Sequence, residues 1–575
     1  MKNLLSFLIW DKSILPNKYR IFSLLLILII FIGFFAELLS IGLVVPLITA
    51  MFDKSKIDYY LQFVPEFINI DNFVQNDFIF LFLILLVGVY FLKAFIIFFQ
   101  NFVIAKYCLS VGLYIQDKMI RNYLNKSIDY YNNINSSIII RNLSTEVALF
   151  TQHILIPFFS MITEILVLIG IVGIILYVEL KIGLYILLIA FLTIFILRSI
   201  FVKKLIEWGL ERQKHQASSI QKINDIFFLN REIKILKKED FFLKKLYLSF
   251  YKLAKAQFKK KIIQPIPRLT GEILAIVSFS VLIMSLINDK KTNSEIIIVL
   301  ALFAACALRL IPSFNRISEL YSTFKFSLSC VQVVMKEIKP DNFNLLQNEY
   351  NDISKESFGS LTVENLNFKY DDKKILDGLN IKINKGDIIG IIGKSGSGKT
   401  TLVNILLGFH KINQEIIYNN IKKKDLRAWL SKVGYVPQDT FMLDETIRKN
   451  IAFGVADKEI HDDQVLKAIH ESQLTDTIKN LDAGLNTLIG ENGARLSGGQ
   501  KQRLGIARAL YSNPDVLIFD EVTSSLDLKT EKEFLKSIFA LKDKKTILIV
   551  THRPSLLEAC NKIYKLENGK LILNE

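Results

Sequence analysis

GKSGSGKT, residues 393–400, is the stretch whose reading decides the fold. It fits the phosphate-cradling pattern G-x-x-x-x-G-K-[ST]. The run before it, Ile388-Ile389-Gly390-Ile391-Ile392, has the unbroken apolar character of a buried strand, and Thr401 to Leu407 reads as the start of a helix. That strand–loop–helix context is what the pattern needs. Gly393, Gly396 and Gly398 let backbone N–H groups turn inward around a β-phosphate, with Lys394, Ser395 and Ser397 between them. The helix N-terminus, at Thr400 and Thr401, adds partial positive charge. Lys399 brings a full charge to the β- and γ-phosphates, and the Thr400 hydroxyl is a candidate Mg²⁺ ligand. A Gly/Ser-rich turn that binds nothing is the bland alternative, and the flanking elements argue against it.

Around this loop lies a soluble domain. Asp341 to Ser360 is polar and reads as a linker, and Leu361 to Tyr370 reads as an opening strand ending on an aromatic residue. Beyond the loop come Tyr435-Val436-Pro437-Gln438, then Leu496-Ser497-Gly498-Gly499-Gln500, then Val516-Leu517-Ile518-Phe519-Asp520-Glu521. Ser525-Leu526-Asp527 follows, and the apolar run Thr546 to Val550 leads into Thr551-His552-Arg553.

Upstream the composition changes. Of 575 residues 51% are hydrophobic, and the apolar ones concentrate before residue 320. A span needs about 20 apolar residues. Six stretches qualify: 21–50, 77–106, 154–178, 182–201, 269–288 and 294–312. The connecting segments 107–153 and 202–268 are rich in Lys and Arg, whereas 51–76 carries Asp53, Asp58, Glu66 and Asp71. The positive-inside rule then puts both termini in the cytoplasm and 51–76 outside, where it reads as a short amphipathic helix. The same rule accounts for much of the net charge of +16, so no nucleic-acid partner is inferred. Met1 to Arg20 lacks a cleavable signal pattern and reads as an interfacial helix. The four cysteines are far apart, with no C-x-x-C pair, which speaks against a disulfide framework or a zinc site. Gln216 to Phe228 and Phe241 to Phe258 have helical spacing, so spans two to five are expected to run far into the cytoplasm. Asp129 to Ser136 and Ala217 to Phe227 are the expected helix–loop contacts with the soluble domain. The expected fold is thus an α-helical six-span transmembrane domain over 1–335, a linker over 336–358, and an α/β P-loop NTPase domain over 359–575.

Ionisable residues at membrane depth are costly, so each is a site hypothesis. Counted from Asp77, Lys93 lies about 24 Å into its span, and Arg309 lies about 21 Å in from Glu295. Arg268 sits at the cytoplasmic mouth of span five, behind Pro265 and Pro267. Three cations at similar depth suit an anionic lipid headgroup such as a pyrophosphate. The alternative is internal pairing with Glu272, Glu164 or Glu37, or snorkelling. By the same counting, Glu37 falls toward the opposite leaflet and is not expected to reach Lys93.

The ordered motifs, with LSGGQ among them, resemble the nucleotide-binding domain of ATP-binding cassette (ABC) transporters, and the six spans resemble an exporter-type half-transporter. The resemblance covers essentially the whole chain. It implies that ATP and Mg²⁺ are the cofactors. Asp520, Thr400 and Gln438 then serve the metal, Glu521 is the general base, His552 contacts the γ-phosphate and Tyr370 stacks on adenine. It also implies that Ser497, Gly498, Gly499 and Gln500 act on nucleotide held by a second copy, with Asp527 coupling the sites. One chain carries one motif set, so a homodimer is expected. Pro265-Ile266-Pro267-Arg268 and Leu308 to Arg316 further resemble bacterial lipid-linked oligosaccharide flippases of the PglK type. That likeness implies an inner-membrane flippase in which Lys93, Arg268 and Arg309 engage a polyprenyl-linked pyrophosphate. Lys93 departs from the arginine expected there and offers a point charge in place of a fork. A multidrug or lipid exporter of the same architecture, and an ATP-gated channel or regulator, remain as alternatives.

Overall fold

The computed structural model describes residues 15–43, 75–178, 180–288, 293–339, 357–370, 372–410, 416–419, 421–423, 427–522, 528–541 and 544–574. It divides into two compact units, Met1–Leu346 and Gln347–Glu575.

The first unit is helical. Its long members are α1 (Asn17–Gly42), α2 (Gln75–Leu124), α3 (Ile156–Val178), α4 (Leu180–Phe228), α5 (Glu239–Ile263), α6 (Ile266–Asn288) and α7 (Asn293–Phe326). Among the described residues, Asn17–Gly42, Phe82–Leu124 and Ser136–Tyr177 are long and apolar enough to cross a membrane. Helices α4, α6 and α7 occupy the other three expected spans. At 1.5 Å per residue α2 is about 75 Å long, more than twice the hydrocarbon thickness of a bilayer. Large apolar side chains along α1 and α2, such as Phe35, Phe91 and Phe98, are exposed, as lipid-facing residues must be. Buried Ile104, Cys108, Val111 and Ile115 of α2 recur at helical spacing and pack against Phe150, Ile154 and Phe158.

Several sequence expectations shift here. Ala217 to Phe227 lies wholly inside α4, and the chain turns only at Leu229. Asp129 to Ser136 does contain a break, between short helices Ile128–Asn133 and Ser136–Arg141. The expected external helix within 51–76, the interfacial segment before residue 15, most of the linker and Asp527 lie outside the described residues.

The second unit contains two sheets. One has the order β2-β1-β4-β5, formed by β1 (Ser360–Tyr370), β2 (Lys373–Asn384), β4 (Ile416–Tyr418) and β5 (Ile421–Lys423). The other has the order β10-β9-β3-β8-β7-β6, from β3 (Ile388–Ile392), β6 (Val433–Val436), β7 (Val516–Asp520), β8 (Thr546–Val550), β9 (Lys562–Glu567) and β10 (Lys570–Leu573). Its central strands pair in parallel. A parallel sheet is covered on both faces, which is why β7 and β8 are buried at every position. Ile388, Leu517, Phe519, Ile547 and Ile549 face one core, and Ile389, Ile391, Ile518, Leu548 and Val550 face the other. Helix α8 (Lys399–Leu406) follows the phosphate loop, and α9 (Gly498–Tyr511) follows the LSGGQ turn. The carboxyl ends of β3, β8 and β7 therefore lie side by side, where open α/β sheets hold their ligands.

Candidate functional site

The loop Gly393–Thr400 joins the end of β3 to α8. Gly396 and Gly398 have φ of +78° and +104°, a region that side chains rarely adopt. Lys399 is buried, and its Nζ donates to the carbonyls of Gly393 at 2.9 Å and Lys394 at 3.2 Å. Thr400 is exposed and Thr401 buried in the first turn of α8, while Lys394 and Ser395 are exposed on the loop. The Ser397 hydroxyl is buried with no hydrogen-bond partner among the described residues.

The neighbouring strand ends supply the rest. Glu521 N–H donates to the Val550 carbonyl at 2.9 Å, and Thr551 N–H to the Ile391 carbonyl at 3.1 Å, so the three ends are tied together. Glu521 has φ of +48°, a conformation a non-glycine residue keeps only where its surroundings impose it. Its Oε1 lies 3.5 Å from Lys399 Nζ, and its Oε2 lies 3.9 Å from His552 Nδ1. His552 is half exposed, so the carboxylate stands between a buried cation and an accessible imidazole.

Asp520 closes β7 and is 4% exposed. Its Oδ1 has no hydrogen-bond partner among the described residues. Burial, and then the charge of Glu521, raise its carboxyl to about 6, with Lys399 opposing. A buried carboxylate oxygen without a donor suits a hard, oxygen-seeking cation such as Mg²⁺. Tyr435 of β6 stands beside this carboxylate, and its phenol is pushed up by burial and by the charge of Asp520. The folded state thus binds the Asp520 proton more tightly than the unfolded chain, whose aspartate sits near 3.8. Stability is lost as pH rises between those two values and is flat above the upper one. From pH 5 to pH 7 the metal-free protein should lose about 1 kcal/mol relative to Asp520→Asn, read as diverging thermal midpoints.

The remaining expected residues of this unit stand on other elements. The Tyr370 hydroxyl is 2.9 Å from Nε2 of buried His410, a partner that nothing in the sequence signalled. Gln438 is exposed, two residues beyond β6. Ser497 caps α9: its hydroxyl accepts from Gln500 N–H at 3.3 Å, and the Gln500 side chain accepts from Ser497 N–H at 2.8 Å. This capping box leaves Gly498 and Gly499 in the first turn of α9, at the positive end of the helix.

A second polar centre lies among the apolar helices of the first unit. Lys93 Nζ is 3.1 Å from Glu37 Oε1 and donates to Ser40 Oγ at 3.2 Å. Arg309 Nε is 2.6 Å from Glu37, and its Nη2 is 3.5 Å from Glu164. Arg316 lies 3.2 Å from Glu164. The expectation that Glu37 cannot reach Lys93 is therefore wrong. A depth counted along one span from Asp77 carries no information on its register against α1. The register of α1 against α2 is set instead by a close approach: a Cβ on Gly33 would stand 2.1 Å from Gln100 Oε1. Four residues further along α1, Glu37 meets Lys93, which lies seven residues back along antiparallel α2. Arg268 does not join the group. It pairs with Glu272 at 2.9 Å, and its side chain is 65% exposed.

Comparison with known proteins follows the same division. Residues 24–311 match the ABC transporter transmembrane region family, and residues 376–524 match the ABC transporter family. The ATP-dependent lipid A-core flippase of Francisella novicida is 36% identical over 217 residues, 37% of this chain and 36% of that protein. The ATP-dependent lipid A-core flippase of Ralstonia nicotianae is 38% identical over 223 residues, 37% of each chain. ABC transporter B family member 6 of Dictyostelium discoideum is 36% identical over 245 residues, 40% of this chain and 36% of that one. The match thus spans little more than a third of the length of these curated relatives. A solved bacterial Atm1-family ABC exporter with ATP bound superposes with a TM-score of 0.76 at 20% identity, over 96% of this chain and 94% of that one, a likeness of fold.

Proposed function

Because the chain belongs to the ABC transporters, we propose that it is an ATP-hydrolysing homodimer of twelve spans. In this reading it flips a polyprenyl-pyrophosphate-linked oligosaccharide across a bacterial inner membrane, for protein N-glycosylation or surface polysaccharide assembly, with both termini in the cytoplasm. The observation that carries the reading is the meeting of Lys399, Glu521 and His552 at three adjacent strand ends.

ATP sits on the loop Gly393–Thr400, with Lys399 leaving its loop carbonyls for the β- and γ-phosphates. Thr400 and Asp520, with Gln438 beside them, would hold Mg²⁺, which would supply neutralisation of phosphate charge. Glu521 takes the proton of the attacking water, and His552 steadies the γ-phosphate. Tyr370 stacks on adenine. Ser497, Gly498, Gly499 and Gln500 present the N-terminus of α9 to the nucleotide of the second copy, across a seam to which Asp527 contributes.

For the cargo, the support is chemical. Lys93 and Arg309 are cations inside an apolar bundle, where charge is retained for a purpose. Arg268, exposed near the start of α6, supplies a further cation for a headgroup on entry. The relatives named as lipid A-core flippases favour an amphiphilic lipid cargo. A lipid or drug exporter of the same build is the second reading, favoured by the carboxylate partners that Lys93 and Arg309 already have. The two part on one experiment. In proteoliposomes, Lys93→Gln with Arg309→Gln should slow flipping of a diphosphate-linked glycolipid about tenfold or more while detergent ATPase activity persists. Unchanged flipping of that lipid would favour the second reading.

A further inference from the structure

Glu37 and Glu164 are each 2% exposed. Glu37 is shared by Lys93 and Arg309, and Glu164 by Arg309 and Arg316. Three cations against two carboxylates leave one positive charge. Glu37, Glu164, Arg309 and Arg316 border a small cavity together with Gln100. Gln100 donates to Thr163 at 2.8 Å, while its buried Oε1 has no partner among the described residues.

We infer that Glu37 is a displaceable counterion that sets the charge a lipid headgroup must carry to enter the site. The inference rests on the cargo being a diphosphate lipid. An unpaired ammonium or guanidinium in an apolar bundle is costly, so cations meant for a transient anion need a substitute anion between turnovers. Glu37 is divided between Lys93 and Arg309 and Glu164 between Arg309 and Arg316, so the cations stay in excess of their carboxylates. A phosphodiester lipid brings a single negative charge, gains nothing over Glu37 and is turned away. A diphosphate diester brings two charges and more acceptor oxygens, enough to take both cations from Glu37 at once. Glu37 is thereby a specificity-determining residue that acts through the two cations and need not touch cargo. Glu164 keeps Arg316 paired while Arg309 moves.

The test uses the full chain in phosphatidylcholine nanodiscs, with a polyprenyl diphosphate carrying one sugar, a diphosphate diester, and phosphatidylglycerol as probes and ligand-induced thermal stabilisation as the readout. Wild type should respond to the diphosphate and not to phosphatidylglycerol at equal concentration. Glu37→Gln should bind the diphosphate on the order of tenfold more tightly and should also respond to phosphatidylglycerol. In flipping assays its KM and kcat should fall together, because cargo held without a competitor leaves slowly. If Glu37→Gln does not fold, Lys93→Gln is compared with Lys93→Gln plus Glu37→Gln, where a cation and an anion are lost together. The same tightening and the same loss of discrimination are expected on adding the second change. Wild type deaf to the diphosphate overturns the cargo reading and this inference with it. Wild type that binds, with no tightening on removal of Glu37 in either background, overturns the counterion role alone.

Discussion

Glu521→Gln should lower ATP hydrolysis by roughly 10²- to 10⁴-fold, the usual contribution of a positioned general base, while nucleotide still binds. Glutamine keeps the size of the side chain, the left-handed backbone and the Glu521 N–H bond to the Val550 carbonyl. It cannot accept a proton from water. The carboxylate also balances Lys399 at 3.5 Å. Its loss leaves that cation freer for phosphate, so ATP should be trapped on the protein and cargo flux should stop. The measurement is phosphate release at saturating ATP, paired with retention of labelled nucleotide on a filter. Hydrolysis within tenfold of wild type would show that another group takes the proton. Asp520→Asn should differ in kind: it removes the carboxylate proposed to hold Mg²⁺ and should weaken nucleotide binding itself.

Much of the second unit is legible in the sequence because its elements are short and uniform. Ile388 to Ile392, Val516 to Phe519 and Thr546 to Val550 are unbroken apolar runs that end on glycine, acid or histidine, and each is a strand with the chemistry at its carboxyl end. The pairing of those strands is not legible. Nothing in Ile391 or Val550 says that they lie side by side, yet that adjacency is what brings Glu521 to Lys399 and His552. In the first unit, helices are readable from apolar length, but their registers are not. Glu37 illustrates the limit. Its partners depend on where Gly33 lets α1 close on Gln100, and a count of residues from each span's end carries no information about that contact. The helix through Gln216 to Phe228, by contrast, is legible from its spacing, and α4 runs unbroken to Phe228.

Glu146 shows the same limit at greater energetic consequence, and it supplies the second large expectation. This carboxylate is fully buried, on the last residue of the π-helical stretch Asn142–Glu146, with a second stretch, Phe150–Leu155, following it. Such widened turns re-aim side chains and recur where a helix serves function. Here they aim Glu146 at Arg212 of α4, with Nη–Oε contacts of 3.1 and 3.2 Å, and Gln213 donates at 3.1 Å. Arg141 adds a cation at 3.8 Å and bonds the Gln213 carbonyl at 3.2 Å. Arg212→Ala removes the bidentate partner and leaves the carboxylate with the neutral Gln213 amide and, as cation, the more distant Arg141. Breaking one side of a buried pair costs roughly 3–5 kcal/mol, because the remaining charge keeps its desolvation penalty. The thermal midpoint of the detergent-solubilised chain should fall sharply. Glu146→Met with Arg212→Met should recover most of the loss, since a pair replaced by apolar groups of like volume is often neutral. Equal loss in the single and double variants would mean that packing of the arginine stem, and not the stranded carboxylate, is what the π-helical turns were built around.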